Sequence, residues 1–385
     1  MPEIPQGVPV LERALDRIRS VYEKGSRVVV AFSGGKDSTV VLQLCLIVAK
    51  EYDALPVEAT FFDEEVIYPG TTDYIERVYE RSDVNLHWLA TEAPRSNAFS
   101  REHPYWWTFD SRLEPEEWVR QPPAYTEWVE DADMRAATKV ERFPPPEGKD
   151  LVVMLGIRAT ESRNRRMSVF STKGFISKVN KFGHKTARPI FDWKDGDVWR
   201  AISTMGWDYA TTYNTMYRLG IPKSRLRVGP PTMTVAAVGK LRMSAKAWPR
   251  WFDAICIRIP GIRTAAQFGK KSVTPQRRLH ETWKECFQRV CIDDAPTWIA
   301  ERSVKYRILR LRQHSYHASD GDLPDANDCN TCYCNGSWKT MCKALFMGDP
   351  LGIRDASMGY VQPGQFREGM GNWVNKKKKT HGEED

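Results

Sequence analysis

The stretch Arg27–Lys50, RVVVAFSGGKDSTVVLQLCLIVAK, decides the fold. Its apolar opening, Arg27 to Phe32, reads as a short buried strand, and the residues from Ser38 onward read as a helix. Between them lies Ser33-Gly34-Gly35-Lys36-Asp37. A glycine pair lets a backbone approach a ligand closely, because neither residue has a Cβ and both tolerate positive φ. Gly35 is read as having no room for a branched side chain. A helix starting near Asp37 or Ser38 aims its free N–H groups and its dipole into the same place, an arrangement that binds anions, phosphate above all. The Walker spacing is absent, since Ala31 and Phe32 stand before Ser33 and Asp37 follows Lys36, so a P-loop kinase or GTPase is excluded.

Working outward, Val8–Gly25 has apolar residues near helical spacing and closes on a glycine. Leu55–Glu65 reads as a second strand, Thr71–Ser82 as a helix, and Val84–Ala90 as a third strand. Residues 94–149, rich in Trp, Tyr and Pro, break the rhythm and read as an insertion or lid. Asp150–Arg166 restores the pattern with a fourth strand, and Asp192–Trp207 is a helix with acids in its first turn. The alternation predicts an α/β fold with a parallel sheet, and ligands in such sheets sit beyond the carboxyl ends of the strands. Trp193 and Trp199 are expected in the core. The expected organisation is a nucleotide-binding domain over 1–225, a mainly helical region over 226–375 and a disordered tail over 376–385.

The net charge of +8 is unevenly spread. Arg158–Arg188 holds nine Lys/Arg against one acid and Arg218–Lys246 holds seven against none, so these segments carry +15 and the remainder −7. Either they meet a polyanion, a nucleotide or nucleic acid, or they are two solvated basic faces. Lys223, Arg225 and Arg227 are the candidate contacts to DNA or tRNA, on whose exposed bases the Trp-rich insertion could stack. No stretch reaches the eighteen or so apolar residues of a membrane span, and a soluble, cytoplasmic protein is expected, with no membrane partner.

The turn Ser33-Gly34-Gly35-Lys36-Asp37-Ser38 resembles the SGGxDS pyrophosphate loop (PP-loop) of the ATP pyrophosphatases and of the adenylyl-sulfate and phosphoadenylyl-sulfate (PAPS) reductases. Three more stretches resemble the PAPS reductases: FFDEEVIYPGTTDYI; GIRATESRNRR, with Gly156, Arg158, Glu161, Ser162, Arg165 and Arg166; and ARPIFDWKDGDVWRAI followed by YNTMYRLGI. The resemblance runs from about residue 25 to 222 and implies the parallel sheet of the adenine nucleotide alpha-hydrolase-like superfamily. It also implies an adenine nucleotide, ATP or PAPS, on the loop. Arg158 and Arg165 offer guanidinium forks for phosphate or sulfate oxygens, with Glu161 orienting one of them. Asp63, Glu64 and Glu65 either hold Mg²⁺ through water or merely solvate a strand edge.

The resemblance stops short of the reductase chemistry. Those enzymes act through a C-terminal Glu-Cys-Gly-x-His segment, and this chain has none. After YNTMYRLGI it continues PKSRLRVGPPTM, without a thiol. The departure is closer to the sulfur-activating component of DNA phosphorothioation systems and to reductase-like proteins of mobile elements.

Cys329, Cys332, Cys334 and Cys342 are spaced C-x2-C-x-C-x7-C. They suit a tetrahedral Zn²⁺ site or an iron–sulfur cluster, or they are free buried cysteines, and His314 or His317 could replace one ligand. The expected function is ATP binding and α–β phosphate cleavage, adenylating an acceptor for sulfur transfer or nucleic-acid modification. Lys36, Asp37, Arg158 and Glu161 are the candidate catalytic residues, with a protein partner from the same modification system. The alternatives are a PAPS reductase or sulfotransferase-like enzyme, and a non-catalytic nucleotide- or DNA-binding regulator.

Overall fold

The computed structural model describes residues 9–130, 138–172, 174–232, 234–317, 321–332, 334, 336–354 and 356–367. The tail read over 376–385 lies outside them, as does part of the aromatic insertion. The chain divides into two compact units, one formed by residues 1–92 and 120–230, the other by 93–119 and 231–385.

In the first unit, α1 (Val10–Tyr22) buries Ala14, Leu15, Ile18 and Val21, a stripe at helical spacing. Strand β1 (Arg27–Ala31) is an apolar run with parallel neighbours on both sides. Helix α2 (Lys36–Glu51) is buried almost all round. Next come β2 (Val57–Asp63), α3 (Pro69–Tyr79) and β3 (Val84–Ala90). Strands β4 (Ala93–Ser96) and β5 (Tyr105–Thr108) belong to the second unit. The first unit resumes with β6 (Glu127–Trp128), β7 (Leu151–Leu155), α4 (Arg163–Ser171), β8 (His184–Ala187), α5 (Asp195–Met205) and α6 (Thr212–Arg218).

The sheet is six-stranded and parallel, in the order β6-β3-β2-β1-β7-β8. The chain runs outward from β1 on one side and returns to β7 on the other, so the direction of winding reverses between β1 and β7. This is where an open α/β sheet offers a crevice at its carboxyl edge. Arg13 and Arg17 of α1 clamp Asp192, at 3.1 and 2.7 Å, and so tie α1 to the turn ahead of α5. Gly70 is a close approach: a Cβ there would stand 2.4 Å from Thr211 Oγ1. Beside it Thr71 Oγ1 donates to Thr212 Oγ1 at 2.9 Å, and this seat fixes α6. Trp193 is fully buried, as expected, though it precedes α5 and does not lie within it.

The second unit answers the insertion differently from a lid. Strands β4 and β5 form an antiparallel hairpin whose Tyr105, Trp106 and Trp107 are buried. Its helices are α7 (Val238–Ala247), α8 (Pro249–Arg258), α9 (Ile262–Phe268), α10 (Trp283–Gln288), α11 (Thr297–His317) and α12 (Trp338–Leu345). The Arg258 guanidinium, itself buried, donates to the Trp107 carbonyl and lies 5.5 Å from the Trp106 ring centre. The expected division at 225, with 94–149 as one insertion, is therefore corrected. Residues 93–119 form part of the helical unit's core, because three large aromatics in a row demand burial.

Candidate functional site

The turn after β1 is held in shape by its own side chains. Gly34 has φ +68°, and a Cβ there would stand 2.9 Å from Ile75 Cδ1, so this position requires glycine. Gly35 has φ −80°, and its Cβ would meet nothing closer than Ser33 Oγ at 3.3 Å, with Tyr213 Oη and Val228 Cγ2 beyond. The two glycines thus serve different ends. Ser38 Oγ donates to the Gly35 carbonyl at 2.9 Å and accepts from the Ser33 amide at 3.1 Å, closing the turn.

Gly156, just past β7, lies directly against this turn. A Cβ on it would stand 2.6 Å from the Ser38 nitrogen and 2.7 Å from the Asp37 carbonyl carbon. That contact brings Arg158 to the mouth of α2. Arg158 is 3% exposed and Lys36 4%. Arg158 Nε donates to Asp37 Oδ1 at 2.5 Å and its Nη2 to Asp195 Oδ1 at 3.2 Å. Lys36 Nζ reaches the same two acids, Asp37 at 3.2 Å and Asp195 at 3.3 Å. The result is a quartet of two buried cations and two carboxylates, Asp195 the more exposed of the pair, at the carboxyl edge of β1 and β7.

Sequence reasoning missed two members of this site. Asp195 opens α5, and its only signal was its place inside the DWKDGDVW stretch. Tyr213, on α6, accepts the Lys36 amide at 2.9 Å, one of the N–H groups that a helix start leaves unpaired. Burial pushes its phenol well up, against the opposing effect of that amide.

Other predicted residues stand elsewhere. Asp63 is fully buried and its carboxylate is taken: Trp88 Nε1 donates at 2.9 Å, the Glu65 amide at 2.9 Å, and Arg120 pairs with it. A nucleotide or Mg²⁺ contact at Asp63 would have to displace these partners. Glu161 pairs with Arg165 at 2.9 Å along α4 and not with Arg158. Lys223, Arg225 and Arg227 are exposed while Leu226 and the following Val228 are buried, so this segment is seated by its apolar residues and presents its basic side chains outward. Arg227 donates to the Glu161 carbonyl at 3.2 Å. Not all of the basic excess is surface: Arg158 and Arg188 are buried, and Arg242 caps α9 through the Ala266 and Gln267 carbonyls at 2.8 and 3.1 Å.

In the second unit the ligand atoms of His314, Cys329, Cys332 and Cys334 lie within 4.8 Å of one another. Cys342 is not among them, and its inclusion in the predicted set is corrected. It sits on α12, where its carbonyl accepts from the Cys291 thiol at 3.7 Å. Cys342, Cys291 and Cys286 belong to an apolar cluster with Phe287 and Trp338, and burial pushes the Cys286 thiol up to about 12. The His317 side chain lies outside the described residues. No helix among the described residues is long and apolar enough to cross a membrane.

Known proteins were compared with this chain. An Escherichia coli (strain K12) protein, "Uncharacterized protein YbdN", is 27% identical over 379 residues, covering 90% of each chain. Among solved structures, a Candida glabrata FMN adenylyltransferase is 16% identical with a TM-score of 0.35, covering 55% of this chain and 62% of that one, less than two thirds of its length. A phosphoadenylyl-sulfate (PAPS) reductase from Candida auris, a phosphate complex, is 14% identical with a TM-score of 0.30, covering 54% and 84%. The family profile described as the phosphoadenosine phosphosulfate reductase domain matches residues 27–221, just over half of the chain, from the first residue of β1 to the turn after α6. The PP-loop, the Gly156 contact and the paired acids and bases all fall inside that span, and the chain belongs to the phosphoadenosine phosphosulfate reductase domain family.

Proposed function

We propose that this chain binds ATP with its phosphates on the Ser33–Ser38 turn and transfers the adenylyl group to an acceptor, releasing pyrophosphate, in a sulfur-transfer or nucleic-acid modification reaction. The observation that carries this reading is the quartet of Lys36, Asp37, Arg158 and Asp195. Buried cations paired with carboxylates can exchange those partners for polyphosphate oxygens, which offer the same bidentate geometry and more charge. Lys36 and Arg158 then neutralise the leaving pyrophosphate as the acceptor attacks the α-phosphorus in line and the bond to the β-phosphate oxygen breaks. Released from them, Asp37 and Asp195 are the hard oxygen donors that would hold Mg²⁺ with the nucleotide, the ion supplying further charge neutralisation at the phosphate oxygens.

Reduction of a sulfonucleotide by a thiol fits the nucleotide unit less well. Its sole cysteine is Cys45, in the middle of α2 and fully buried, and burial pushes its thiol far above the ordinary range. A thiolate is the nucleophile in such chemistry. The exposed Lys223, Arg225 and Arg227 favour a nucleic-acid acceptor, DNA or tRNA, over a small sulfur compound.

The test is turnover of the purified chain with ATP and Mg²⁺, and separately with PAPS and a dithiol, each with and without bulk tRNA or duplex DNA. Acceptor-stimulated pyrophosphate release supports the reading. Sulfite release from PAPS overturns it in favour of the reductase, and tight nucleotide binding with no turnover under any acceptor, protein partners included, favours the regulator.

A further inference from the structure

We infer that His314, Cys329, Cys332 and Cys334 form a closed, structural zinc site that fastens the last turn of α11 to the loop ahead of α12. His314 Nδ1 lies 3.3 Å from Cys334 Sγ and 3.4 Å from Cys332 Sγ, and Cys329 Sγ lies 3.5 Å from Cys332 Sγ. One tetrahedral ion with bonds of about 2.3 Å to sulfur and about 2.0 Å to nitrogen sets its ligand atoms roughly 3.5–3.8 Å apart. Three of the separations thus already lie within a few tenths of an ångström of the tetrahedral values, and all of them lie within 4.8 Å.

The donor chemistry selects among metals. Three thiolates and an imidazole suit Zn²⁺ and leave no place for the hard cations that prefer oxygen. An iron–sulfur cluster divides its four ligands among two or four irons, and ligands of different irons stand further apart than the members of a group that all lie within 4.8 Å. The site is also closed. Four protein ligands complete a tetrahedron, and His314, Cys329 and Cys334 are buried to 5% exposure or less, whereas a catalytic zinc keeps one position for water or substrate.

The surroundings are those of a ligand loop. The Cys334 amide donates to Cys332 Sγ at 3.4 Å, which turns both thiols of the tight C-x-C step toward one centre and stabilises a thiolate. The Cys329 amide donates to the Gly336 carbonyl at 2.9 Å, closing the loop on itself. Arg310, one helical turn before His314, donates to the Cys334 carbonyl at 3.2 Å. Its positive charge opposes the net −1 of three thiolates, a neutral imidazole and a dication. Such outer contacts orient ligands and fix their charge state. Because the ligands come from a helix end and from a loop some fifteen residues on, the energy of metal binding becomes folding energy for this part of the unit. The rival arrangement, a Cys329–Cys332 disulfide, would consume two ligands and leave the imidazole and Cys334 with nothing to converge on.

The test is elemental analysis of the full chain, purified without chelators and desalted after incubation with zinc chloride. About one zinc per chain is expected, with no stoichiometric iron or acid-labile sulfide. His314→Ala and Cys332→Ser should each lower zinc content about ten-fold or more, while Cys342→Ser keeps it, because the Cys342 thiol is not among the convergent ligand atoms. Should the ligand variants fail to fold, the wild-type chain exchanged with cobalt(II) reads the site directly, through the intense visible bands of tetrahedral cobalt thiolate. Zinc below about a tenth per chain after incubation, stoichiometric iron with sulfide, a Cys329–Cys332 disulfide in the purified chain, or zinc kept by His314→Ala and lost by Cys342→Ser would each overturn the assignment.

Discussion

Replacing Gly156 by alanine adds one methyl group at the place where the nucleotide unit is least able to take it. The new Cβ would lie 2.6 Å from the Ser38 nitrogen and 2.7 and 2.8 Å from the carbonyl carbon and oxygen of Asp37. Restoring an ordinary contact of about 3.5 Å takes a displacement of roughly 0.7–0.9 Å. It must come from backbone, because no atom it meets belongs to a flexible side chain. Overpacking of this kind costs about 1–3 kcal/mol, and a misplacement approaching 1 Å at a site costs on the order of 10²-fold in function. Gly35→Ala is the control: its Cβ comes no closer than 3.3 Å to any neighbour, the Ser33 hydroxyl, with Tyr213 and Val228 at ordinary contact, and φ is −80°. Urea unfolding of Gly156→Ala should lose about 1–3 kcal/mol, and calorimetric titration with Mg²⁺ and ATP should show affinity at least ~10-fold weaker. Gly35→Ala should bind within about two-fold of the parent, its Cβ being near ordinary contact. Unchanged ATP affinity in Gly156→Ala, or loss in Gly35→Ala alone, would refute this reading of the turn.

Tyr213→Phe removes the hydroxyl that accepts the Lys36 amide, leaving a buried donor unpaired, and should cost about 1–3 kcal/mol by denaturant titration. Burial alone would raise the Asp192 carboxyl, but hydrogen bonds from Arg17 and Arg13 outweigh it and hold it below the ordinary aspartate range. A carboxyl depressed in the folded state stabilises above its unfolded value of about 3.9 and loses that contribution as pH falls through the folded one. Asp192→Asn should therefore be less stable by roughly 3–5 kcal/mol at neutral pH, with the gap to the parent closing below about pH 4; a gap independent of pH would deny the clamp. Joint replacement of Lys223, Arg225 and Arg227 by Ala should flatten the slope of log affinity for tRNA or DNA against log salt by about 2–3 while ATP affinity holds, and an unchanged slope would remove these residues from the interface.

The turn was legible in the sequence because its signals are local, an apolar run, a glycine pair and a helix start within Arg27–Lys50, and the parallel sheet because each strand and helix of the alternation carries its own local pattern. What the turn needs from each glycine was not, since a φ of +68° at Gly34 and −80° at Gly35 is set by Ile75, Thr71 and Tyr213 from distant segments. Asp195 and Tyr213 were hidden for the same reason. An acid in the first turn of a helix is ordinary capping until the fold sets it 3.2 Å from a buried guanidinium. Asp63 hid its partners in the same way: an acid at the carboxyl end of a strand looks unpaired in sequence, but Trp88 on the neighbouring strand and Arg120 both bond it. Spacing counted Cys342 with the other thiols, yet it stands outside the group of ligand atoms that converge, and α11 brings His314 to the loop instead.

The hairpin of β4 and β5 also bears on heredity. Its residues, 93–119, are encoded inside the gene segment for the nucleotide unit although they complete the core of the helical one. No single crossover between genes exchanges the helical unit alone: one placed before residue 93 takes residues 120–230 of the nucleotide unit with it, and one placed at residue 230 delivers the helices without their buried aromatic strands. Inheritance of the helical unit therefore requires two coordinated exchanges or none, which binds its sequence drift to that of the PP-loop half far more tightly than an appended domain would be bound.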